Sequence, residues 1–246
     1  MKIKASVCLG KIDTVILCGG EGKRLRPVVK DRPKPMAFVN GRPFLDILLD
    51  YLAGFGLRRF ILSVGYKKNF IIDYYAYQNR PYEVIFAEEK KPLGTGGGIK
   101  NAELLVKSPN FFAMNGDSFC KVDFNALYNF HLNKKAVASV VVTPGRQDTD
   151  YGVIKVDSKR KIIAFNEKDK NPKRFYLNAG MYIFQRKIFN LMPPAGSFSI
   201  ERDFFPEIVD NKFYAYVTRE GFIDIGTPVR YRGAQKFLKK QGESKA

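Results

Sequence analysis

A short segment near the start of the chain combines glycines with cations in a spacing suited to phosphate chemistry. Residues 19–26 read Gly-Gly-Glu-Gly-Lys-Arg-Leu-Arg, so backbone N–H groups and guanidinium charges can both approach phosphate oxygens. Downstream, Lys34 lies between two prolines that restrict its backbone. Leu25 stands where a dinucleotide fingerprint requires glycine, and no Walker A sequence occurs. The pattern therefore favours phosphoryl chemistry over hydride transfer or a P-loop ATPase.

Two further segments carry candidate chemistry, each with a structural alternative. Asp117 follows the apolar run 111–115 and could hold a hard divalent cation, although a turn aspartate that caps the next segment is an alternative. The glycine-rich segment 93–98 is the second, and taken alone it favours a flexible loop before a helix. The single histidine, His131, lies in a helical pattern, which argues against a histidine-based mechanism.

The elements that must position these residues alternate along the first half of the chain. The alternation of buried strands and amphipathic helices predicts right-handed crossovers and a doubly wound, mostly parallel, Rossmann-like α/β sheet. Because open α/β sheets bind ligands at the carboxyl ends of their strands, segment 19–26 and Asp117 should share one edge. The predicted strands are 14–17, 60–64, 82–87, 111–115 and 136–143, and the predicted helices are 44–55, 70–78, 99–106 and 124–132.

After residue 151 the pattern changes to strands with short connections, at 152–156, 161–165 and 181–184, which predicts a smaller, mixed-strand subregion. No linker or repeat separates the two parts, so we predict one domain over residues 1–246. Its first half would span about 14–143 and its second about 144–240.

The composition restricts the class of protein. The formal charge of +18 suits an anionic partner, but the basic residues are dispersed and do not mark a nucleic-acid-binding module. Three cysteines without metal-ligand spacing argue against a disulfide framework or a zinc site. No apolar run is long enough for export or membrane spanning. We expect a cytoplasmic protein with no membrane partner.

The motifs become specific in combination. Leu-x-Gly-Gly-x-Gly-x-Arg-Leu-x-Pro at 17–27, followed by Pro-Lys-Pro-Met at 33–36, resembles the signature of the sugar-1-phosphate nucleotidyltransferases. Leu-Gly-Thr-Gly-Gly at 93–97, Asn-Gly-Asp at 115–117 and Asp-Ile-Gly-Thr-Pro at 224–228 extend the resemblance. It runs from about residue 15 to the helix after Pro228 and implies the nucleotide-diphospho-sugar transferase type of fold. Val29 and Phe222 depart from the family's usual Thr and Trp, which bears on substrate subgroup rather than on activity.

The resemblance implies a role for each matching residue. Arg24 would neutralise the departing pyrophosphate, Lys34 would contact the reacting phosphate, and Asp117 with Asp224 would hold Mg²⁺. The implied nucleotide-binding residues are Leu17, Gly19, Gly20, Gly22, Gly94, Thr95 and Gly97. The implied sugar-phosphate-binding residues are Gly152, Glu167, Lys168 and Asn178, although Glu167-Lys168 could be an ordinary charged pair and Asn178-Ala179-Gly180 an ordinary turn.

The implied reaction joins a nucleoside triphosphate to a sugar 1-phosphate, without a covalent enzyme intermediate, and releases pyrophosphate. The motifs resemble most closely the guanylyltransferase branches that act on D-glycero-D-manno-heptose 1-phosphate or mannose 1-phosphate, which favours GTP and a manno-configured sugar. Uridylyl- and cytidylyltransferases share many of these motifs. The product would be a precursor of a cell-surface glycan: lipopolysaccharide, capsule or S-layer.

Other classes remain open. A glycosyltransferase would also use a metal-binding Asp, but it would not need segment 19–26 together with Lys34. A sugar-nucleotide-sensing regulatory subunit could keep the fold without turnover, and retention of the cations and carboxylates argues against it. A basic RNA-binding module would show binding with a steep salt dependence. The resemblance also allows a homo-oligomer.

Overall fold

The first strand of the sheet leads into the first glycine segment, residues 19–26. The structure is a computed structural model that describes residues 8–145, 153–166 and 176–243, without the side chains of residues 166 and 240–243. The strands are β1 (Asp13–Leu17), β2 (Phe38–Val39), β3 (Arg42–Pro43), β4 (Arg59–Val64), β5 (Glu83–Glu88), β6 (Asn110–Asn115), β7 (Ser118–Cys120), β8 (Ala138–Pro144), β9 (Val153–Val156), β10 (Ile162–Asn166), β11 (Tyr176–Gln185), β12 (Phe213–Val217) and β13 (Phe222–Asp224). The α-helices are α1 (Phe44–Gly54), α2 (Lys68–Ala76), α3 (Gly94–Asn101), α4 (Phe124–Asn133) and α5 (Pro228–Glu243).

The first half of the sheet is parallel, as predicted. β1 pairs in parallel with β4 on one side and with β6 on the other, and β5 continues the sheet beyond β4. From β1 the chain adds β4 and then β5 on one side, and it later returns to add β6 on the other side of β1. A topological switch point therefore lies between β1 and β6. The prediction of a doubly wound α/β sheet is confirmed.

The second half continues the same sheet with mixed pairing. β11 runs antiparallel to β6, β8 and β9, and β10 is antiparallel to β9, while β12 is parallel to β8. The predicted mixed-strand subregion is therefore confirmed, and nine strands of the two parts form one sheet.

Alternation along the strands builds a core on each face of the sheet. In β1, Val15 belongs to one apolar layer and Ile16 to the other, because successive side chains of a strand point to opposite faces. Residues of α1, α2, α4 and α5 cover the face of Ile16. Residues of α3 and of the helical turns at Arg186–Asn190 and Ile200–Phe204 cover the face of Val15. No described helix is both long and apolar enough to cross a membrane.

One local prediction was wrong, and one structural alternative does not hold. The predicted helix 99–106 instead begins at Gly94 and ends at Asn101, so the glycine-rich segment forms the first turns of α3. Glycine is a poor helix former, but tight packing overrides this preference here: a Cβ on Gly96 would lie 2.1 Å from the ring of Phe198. The segment Asn178-Ala179-Gly180 is not a separate turn, because it lies inside β11 at an irregularity in the pairing with β8.

Candidate active site

Loops that follow β1, β4 and β6 meet at the switch point. The Gly116 N–H donates to the carbonyl of Leu17 at 2.9 Å, which joins the ends of β6 and β1. The Tyr66 N–H donates to the carbonyl of Gly19 at 3.0 Å, which joins the loop after β4 to the first glycine segment. The candidate residues on these loops therefore border one cleft, at the edge where open α/β sheets bind ligands.

The first glycine segment is shaped to lie against Lys34. Gly22 has φ +61°, and a Cβ on it would lie 3.0 Å from the Cβ of Lys34, so glycine is required on both counts. Leu25 is buried and its N–H donates to the Gly22 carbonyl at 2.9 Å, which anchors the turn. Gly20, in contrast, is exposed, and a Cβ there would meet no atom within 4 Å. Its backbone is open to a ligand.

The cations of this segment differ in what they contact. Arg24 is exposed, and its Nη2 lies 3.5 Å from the position that a Cβ on Gly226 would occupy. Arg26 lies over the ring of Tyr66 with its Cζ 4.8 Å from the centroid, an arrangement of the cation–π type. Arg24 therefore extends from the first glycine segment toward the segment that carries Asp224.

Lys34 and Asp117 form an ion pair. Lys34 begins a 3₁₀ turn, Lys34–Met36, and the flanking prolines, Pro33 and Pro35, are both buried. Its Nζ pairs with Oδ2 of Asp117, and both side chains are about one-fifth exposed, at 19% and 21%. The backbone rigidity predicted from the two prolines thus holds a cation beside the carboxylate.

A small antiparallel pair of strands brings the two predicted metal ligands together. Asp224 in β13 pairs with Ser118 in β7, next in sequence to Asp117, and the Ile225 N–H donates to the Asp117 carbonyl at 3.0 Å. Asp224 Oδ1 accepts from the Gly226 N–H at 2.7 Å, and Oδ2 lies 3.4 Å from Nη1 of Arg230. Sequence motifs more than 100 residues apart therefore meet in one place, with a cation beside each carboxylate.

The chemistry of this donor set fits a magnesium ion. Carboxylate oxygens are hard ligands, and Mg²⁺ commonly takes one or two carboxylates, substrate phosphates and water rather than a full protein cage. Among the described residues no group of three or more acidic, Cys or His side chains could hold a metal. Two carboxylates beside the first glycine segment therefore form a donor set of the kind that Mg²⁺ takes together with substrate phosphates.

The second glycine segment, residues 93–98, is packed closely against the protein, although its glycine content is typical of a flexible loop. Gly94 has φ +71°, and Cβ atoms on Gly94 and Gly97 would lie 2.6 Å from the carbonyl oxygens of Phe198 and Gly196. The Thr95 hydroxyl donates to Glu201 at 2.7 Å and accepts from the Ile200 N–H at 2.9 Å. Internal packing accounts for these residues, and their contact with a nucleotide stays a prediction.

Of the predicted sugar-phosphate-binding residues, only Asn178 lies within the described part of the chain. Asn178 donates to the Tyr182 hydroxyl at 2.9 Å and accepts from the Gly180 N–H at 2.9 Å, so its amide is engaged within the protein. A Cβ on Gly180 would lie 2.5 Å from Nδ2 of Asn115, which places this part of β11 against the end of β6. Gly152, Glu167 and Lys168 lie outside the described residues.

One acidic residue of the cleft was missed in the sequence. Glu89 follows β5, and a Cβ on Gly19 would lie 2.3 Å from its Oε1. Oε1 accepts from the Ser63 hydroxyl at 3.0 Å and Oε2 from the Leu93 N–H at 3.2 Å. The available signal was its position two residues after the predicted strand 82–87, at the same sheet edge as the first glycine segment.

Cys18 lies beneath the cleft and is not a nucleophile there. Burial raises the pKa of its thiol, and the negative charges of Asp117 and Glu89 raise it further. The thiol therefore stays neutral and unreactive.

Comparison with known proteins agrees with this geometry. The model of the nucleotidyl transferase family matches residues 13–241. The chain belongs to the nucleotidyl transferase family. It is 37% identical over 228 residues to the D-glycero-alpha-D-manno-heptose 1-phosphate guanylyltransferase of Aneurinibacillus thermoaerophilus, covering 92% of this chain and 98% of that relative. It is 32% identical to the mannose-1-phosphate guanylyltransferase of Mycobacterium tuberculosis, covering 93% of this chain and 65% of that relative.

A solved structure extends the similarity of this nucleotidyl transferase to three dimensions. HddC from Yersinia pseudotuberculosis, in a crystal structure described as complexed with GMP-PN, superposes with a TM-score of 0.81 at 36% identity. The match covers 92% of this chain and 99% of that chain. The resemblance inferred from the motifs is therefore confirmed at the level of family and fold.

Proposed function

We propose that this protein transfers a guanylyl group from GTP to a sugar 1-phosphate, with D-glycero-D-manno-heptose 1-phosphate as the favoured acceptor. The observation that carries the proposal is the meeting of Arg24 and Lys34 with the carboxylates of Asp117 and Asp224 at the switch point of the sheet. Phosphoryl transfer requires anions to be oriented and their charge to be neutralised, and this arrangement supplies both.

The proposed reaction is a direct displacement. An oxygen of the sugar 1-phosphate attacks the α-phosphorus of GTP, and the bond to the β-phosphate oxygen breaks as pyrophosphate leaves. Arg24 would neutralise the leaving pyrophosphate, and Lys34 would contact the α-phosphate from its place beside Asp117. Asp117 and Asp224 would hold Mg²⁺, which when bound neutralises phosphate charge. No side chain needs to form a covalent bond.

The first glycine segment would hold the nucleotide phosphates. Gly20 is exposed and has open space beside its Cα, so its backbone N–H can approach a phosphate oxygen. Lys168 and Glu167 would bind the acceptor phosphate and sugar hydroxyls, and Gly152 and Asn178 would complete the acceptor side. These four assignments rest on the motif resemblance.

The Glu89 carboxylate supports the choice of guanine. The Watson–Crick edge of guanine presents two adjacent donors, N1–H and N2–H, and one carboxylate can accept both. Each Glu89 oxygen already accepts one hydrogen bond, from Ser63 or Leu93, and keeps a further acceptor position. Uracil and thymine present a single imide donor flanked by carbonyl oxygens, which a carboxylate would repel. We therefore infer that Glu89 favours GTP over UTP and dTTP.

The choice of sugar rests on the relatives. The heptose 1-phosphate enzyme matches almost its full length, whereas this chain spans 65% of the mannose 1-phosphate enzyme. We propose mannose 1-phosphate as the second candidate acceptor, and a cytoplasmic location, where GTP and reduced thiols occur together. The nucleotide-sugar would supply a glycosyltransferase that builds a cell-surface glycan.

A substrate matrix tests the proposal. Five nucleotides (GTP, ATP, CTP, UTP and dTTP) would be combined with heptose, mannose and glucose 1-phosphates in the presence of Mg²⁺, and pyrophosphate release would be measured. We expect GTP with the manno-configured heptose 1-phosphate to exceed every other pair by about tenfold or more. Faster turnover with UTP or CTP would overturn the guanylyl assignment. If folded protein released no pyrophosphate with any pair of substrates, a regulatory role would be favoured.

A further inference from the structure

The carboxylate of Glu201 receives hydrogen bonds from two distant segments of the fold and from the residue that caps its own turn. The Tyr182 hydroxyl donates to Oε1 at 3.0 Å, and the hydroxyls of Thr95 and Ser199 donate to Oε2 at 2.7 and 2.9 Å. Glu201 lies in the π-helical turn Ile200–Phe204, a rare conformation that often occurs at functional sites. No step of the proposed reaction uses this carboxylate, so its role requires another explanation.

On one side, the chain of hydrogen bonds reaches the proposed acceptor site. The Tyr182 hydroxyl accepts from Asn178 at 2.9 Å, and Asn178 in turn accepts from the Gly180 N–H at 2.9 Å. Gly180 has φ +66° and lies against Asn115, at the end of the strand that leads to Asp117. Glu201 therefore helps to set the shape of β11 beside the reacting groups.

On the other side, the same series of hydrogen bonds reaches the first turn of α3. Thr95 connects Glu201 to this turn and also accepts from the Ile200 N–H at 2.9 Å. The Gly96 N–H donates to the Phe198 carbonyl at 3.0 Å, which ties α3 to the segment that precedes Glu201. The start of α3 includes the proposed nucleotide-binding positions, so Glu201 also sets the position of the donor side.

Tyr182, which lies at the centre of this series of hydrogen bonds, is well suited to transmit a displacement from one segment to the other. Tyr182 is fully buried, and burial, followed by the adjacent charge of Glu201, raises the pKa of its hydroxyl well above the ordinary value. The hydroxyl therefore stays protonated and donates to Glu201. Because an unpaired buried polar group is unfavourable, both neighbouring segments are held in the arrangement that keeps every bond.

We propose that Glu201 is a positioning residue that couples the donor-nucleotide side to the acceptor-sugar side of the cleft through Thr95 and Tyr182. The inference rests on the proposed function, because it takes the start of α3 as part of the donor side and the Asn178–Gly180 region as part of the acceptor side. A ligand that orders one side then favours the binding-competent arrangement of the other, and the effect is reciprocal.

Two nearly isosteric variants break this series of hydrogen bonds on opposite sides of Glu201. Thr95→Val removes the donor-side bond, and Tyr182→Phe removes the acceptor-side bonds. We expect each variant to raise KM for both substrates by about fivefold or more, including the substrate on the far side. The double variant should be no worse than the poorer single variant, because both substitutions break one chain. Effects confined to the near substrate, or additive effects, would overturn the coupling.

The matched controls remove buried hydroxyls elsewhere. Thr14→Val removes a buried hydroxyl that has no hydrogen-bond partner among the described residues, and Tyr128→Phe removes one that accepts from Asn110 at 3.3 Å. Both controls should keep KM for each substrate within about twofold of wild type. Equal effects from the controls would assign the changes to general loosening of the core and would also overturn the proposal.

Amide hydrogen exchange tests the coupling without substrates. Thr95→Val should accelerate exchange at the Gly180 amide, and Tyr182→Phe should accelerate exchange at the Gly96 amide, each by about fivefold or more, while the controls should not. Unchanged rates at these distant amides would reject the coupling. This measurement needs no turnover. If the wild-type protein showed no guanylyl transfer, the proposed function would be rejected, but the exchange rates would still show whether the two segments are coupled.

Discussion

At the scale of single residues, the cleft is a balance of carboxylates and cations. Lys34 lies beside Asp117, Arg230 beside Asp224, and Arg24 extends toward the same region. These pairs are partly or largely buried, so the loss of one charge should affect the stability of the fold as well as turnover. The two effects are therefore measured separately.

Asp117→Asn tests the proposed magnesium ligand. The amide keeps the shape of the side chain but loses the negative charge, so turnover should fall at least tenfold, or about 1.4 kcal/mol of barrier, with a higher Mg²⁺ requirement. Initial rates across a magnesium titration measure both effects. Asp73→Asn, on an exposed part of α2, is the matched control and should leave the rates unchanged. A normal magnesium profile for Asp117→Asn would refute the ligand assignment.

Glu89→Gln tests the reading of the base. Glutamine replaces one acceptor oxygen by a donor, which would face a donor of guanine, so kcat/KM for GTP should fall about tenfold or more. The value for UTP should fall less, and the GTP-to-UTP ratio is the quantity to measure. Glu88→Gln is the neighbouring control, since Glu88 pairs with Lys68 at 2.8 Å on the surface. An unchanged ratio in Glu89→Gln would mean that another group reads the base.

At the scale of elements, glycine serves two different purposes in the two glycine-rich segments. In the first segment Gly20 has open space beside it, whereas in α3 the side-chain position of Gly96 is filled by the Phe198 ring. Gly20 is therefore free to approach a ligand, whereas Gly96 is packed against the protein. Composition alone does not distinguish the two cases.

Alanine substitution should separate them. Gly96→Ala would force Phe198 to move and should lower the free energy of unfolding by about 1–3 kcal/mol. Gly20→Ala should keep the free energy of unfolding within about 0.5 kcal/mol but raise KM for GTP by roughly tenfold, because the methyl group obstructs the phosphate. Urea unfolding and steady-state kinetics measure the two quantities. A stable Gly96→Ala variant or a kinetically normal Gly20→Ala variant would contradict this division.

Sequence patterns predicted the elements well where periodicity is strong. β1, α1, β4 and β6 were placed within two residues because β1, β4 and β6 are rich in apolar residues and α1 repeats them with helical spacing. The start of α3 was missed because its glycines are poor helix formers whose packing partner, Phe198, is about 100 residues away. Asp117 and Asp224 were found through motifs, whereas Glu89 and Glu201 were missed, since their importance lies in contacts between distant segments.

At the scale of the whole molecule, the lone histidine links stability to pH. His131 is fully buried, its Nδ1 lies 2.9 Å from the Ser139 hydroxyl, and its Nε2 has no partner among the described residues. Burial lowers the pKa of the ring to about 4. The folded protein therefore holds the neutral form, while the unfolded chain takes up a proton near the ordinary pKa of about 6.5.

This difference predicts a loss of stability in mild acid. The neutral ring contributes fully above about pH 6.5, and the contribution falls as the pH drops toward 4, because the unfolded state then binds the extra proton. Between pH 7 and 4.5 the free energy of unfolding should fall by about 2–3 kcal/mol from this group. His131→Leu should remove this part of the slope in urea unfolding at several pH values. An identical slope in the variant would contradict the linkage.

As a transferase, the protein would join two substrates at the cleft rather than hydrolyse or merely sense one. The most direct measurement is quantitative ³¹P NMR of reactions that contain Mg²⁺ and GTP with or without D-glycero-D-manno-heptose 1-phosphate. We expect one nucleotide-sugar and one pyrophosphate for each GTP consumed, and no consumption of GTP when the sugar phosphate is absent. GTP hydrolysis without the acceptor, or tight nucleotide binding with no product, would contradict this expectation.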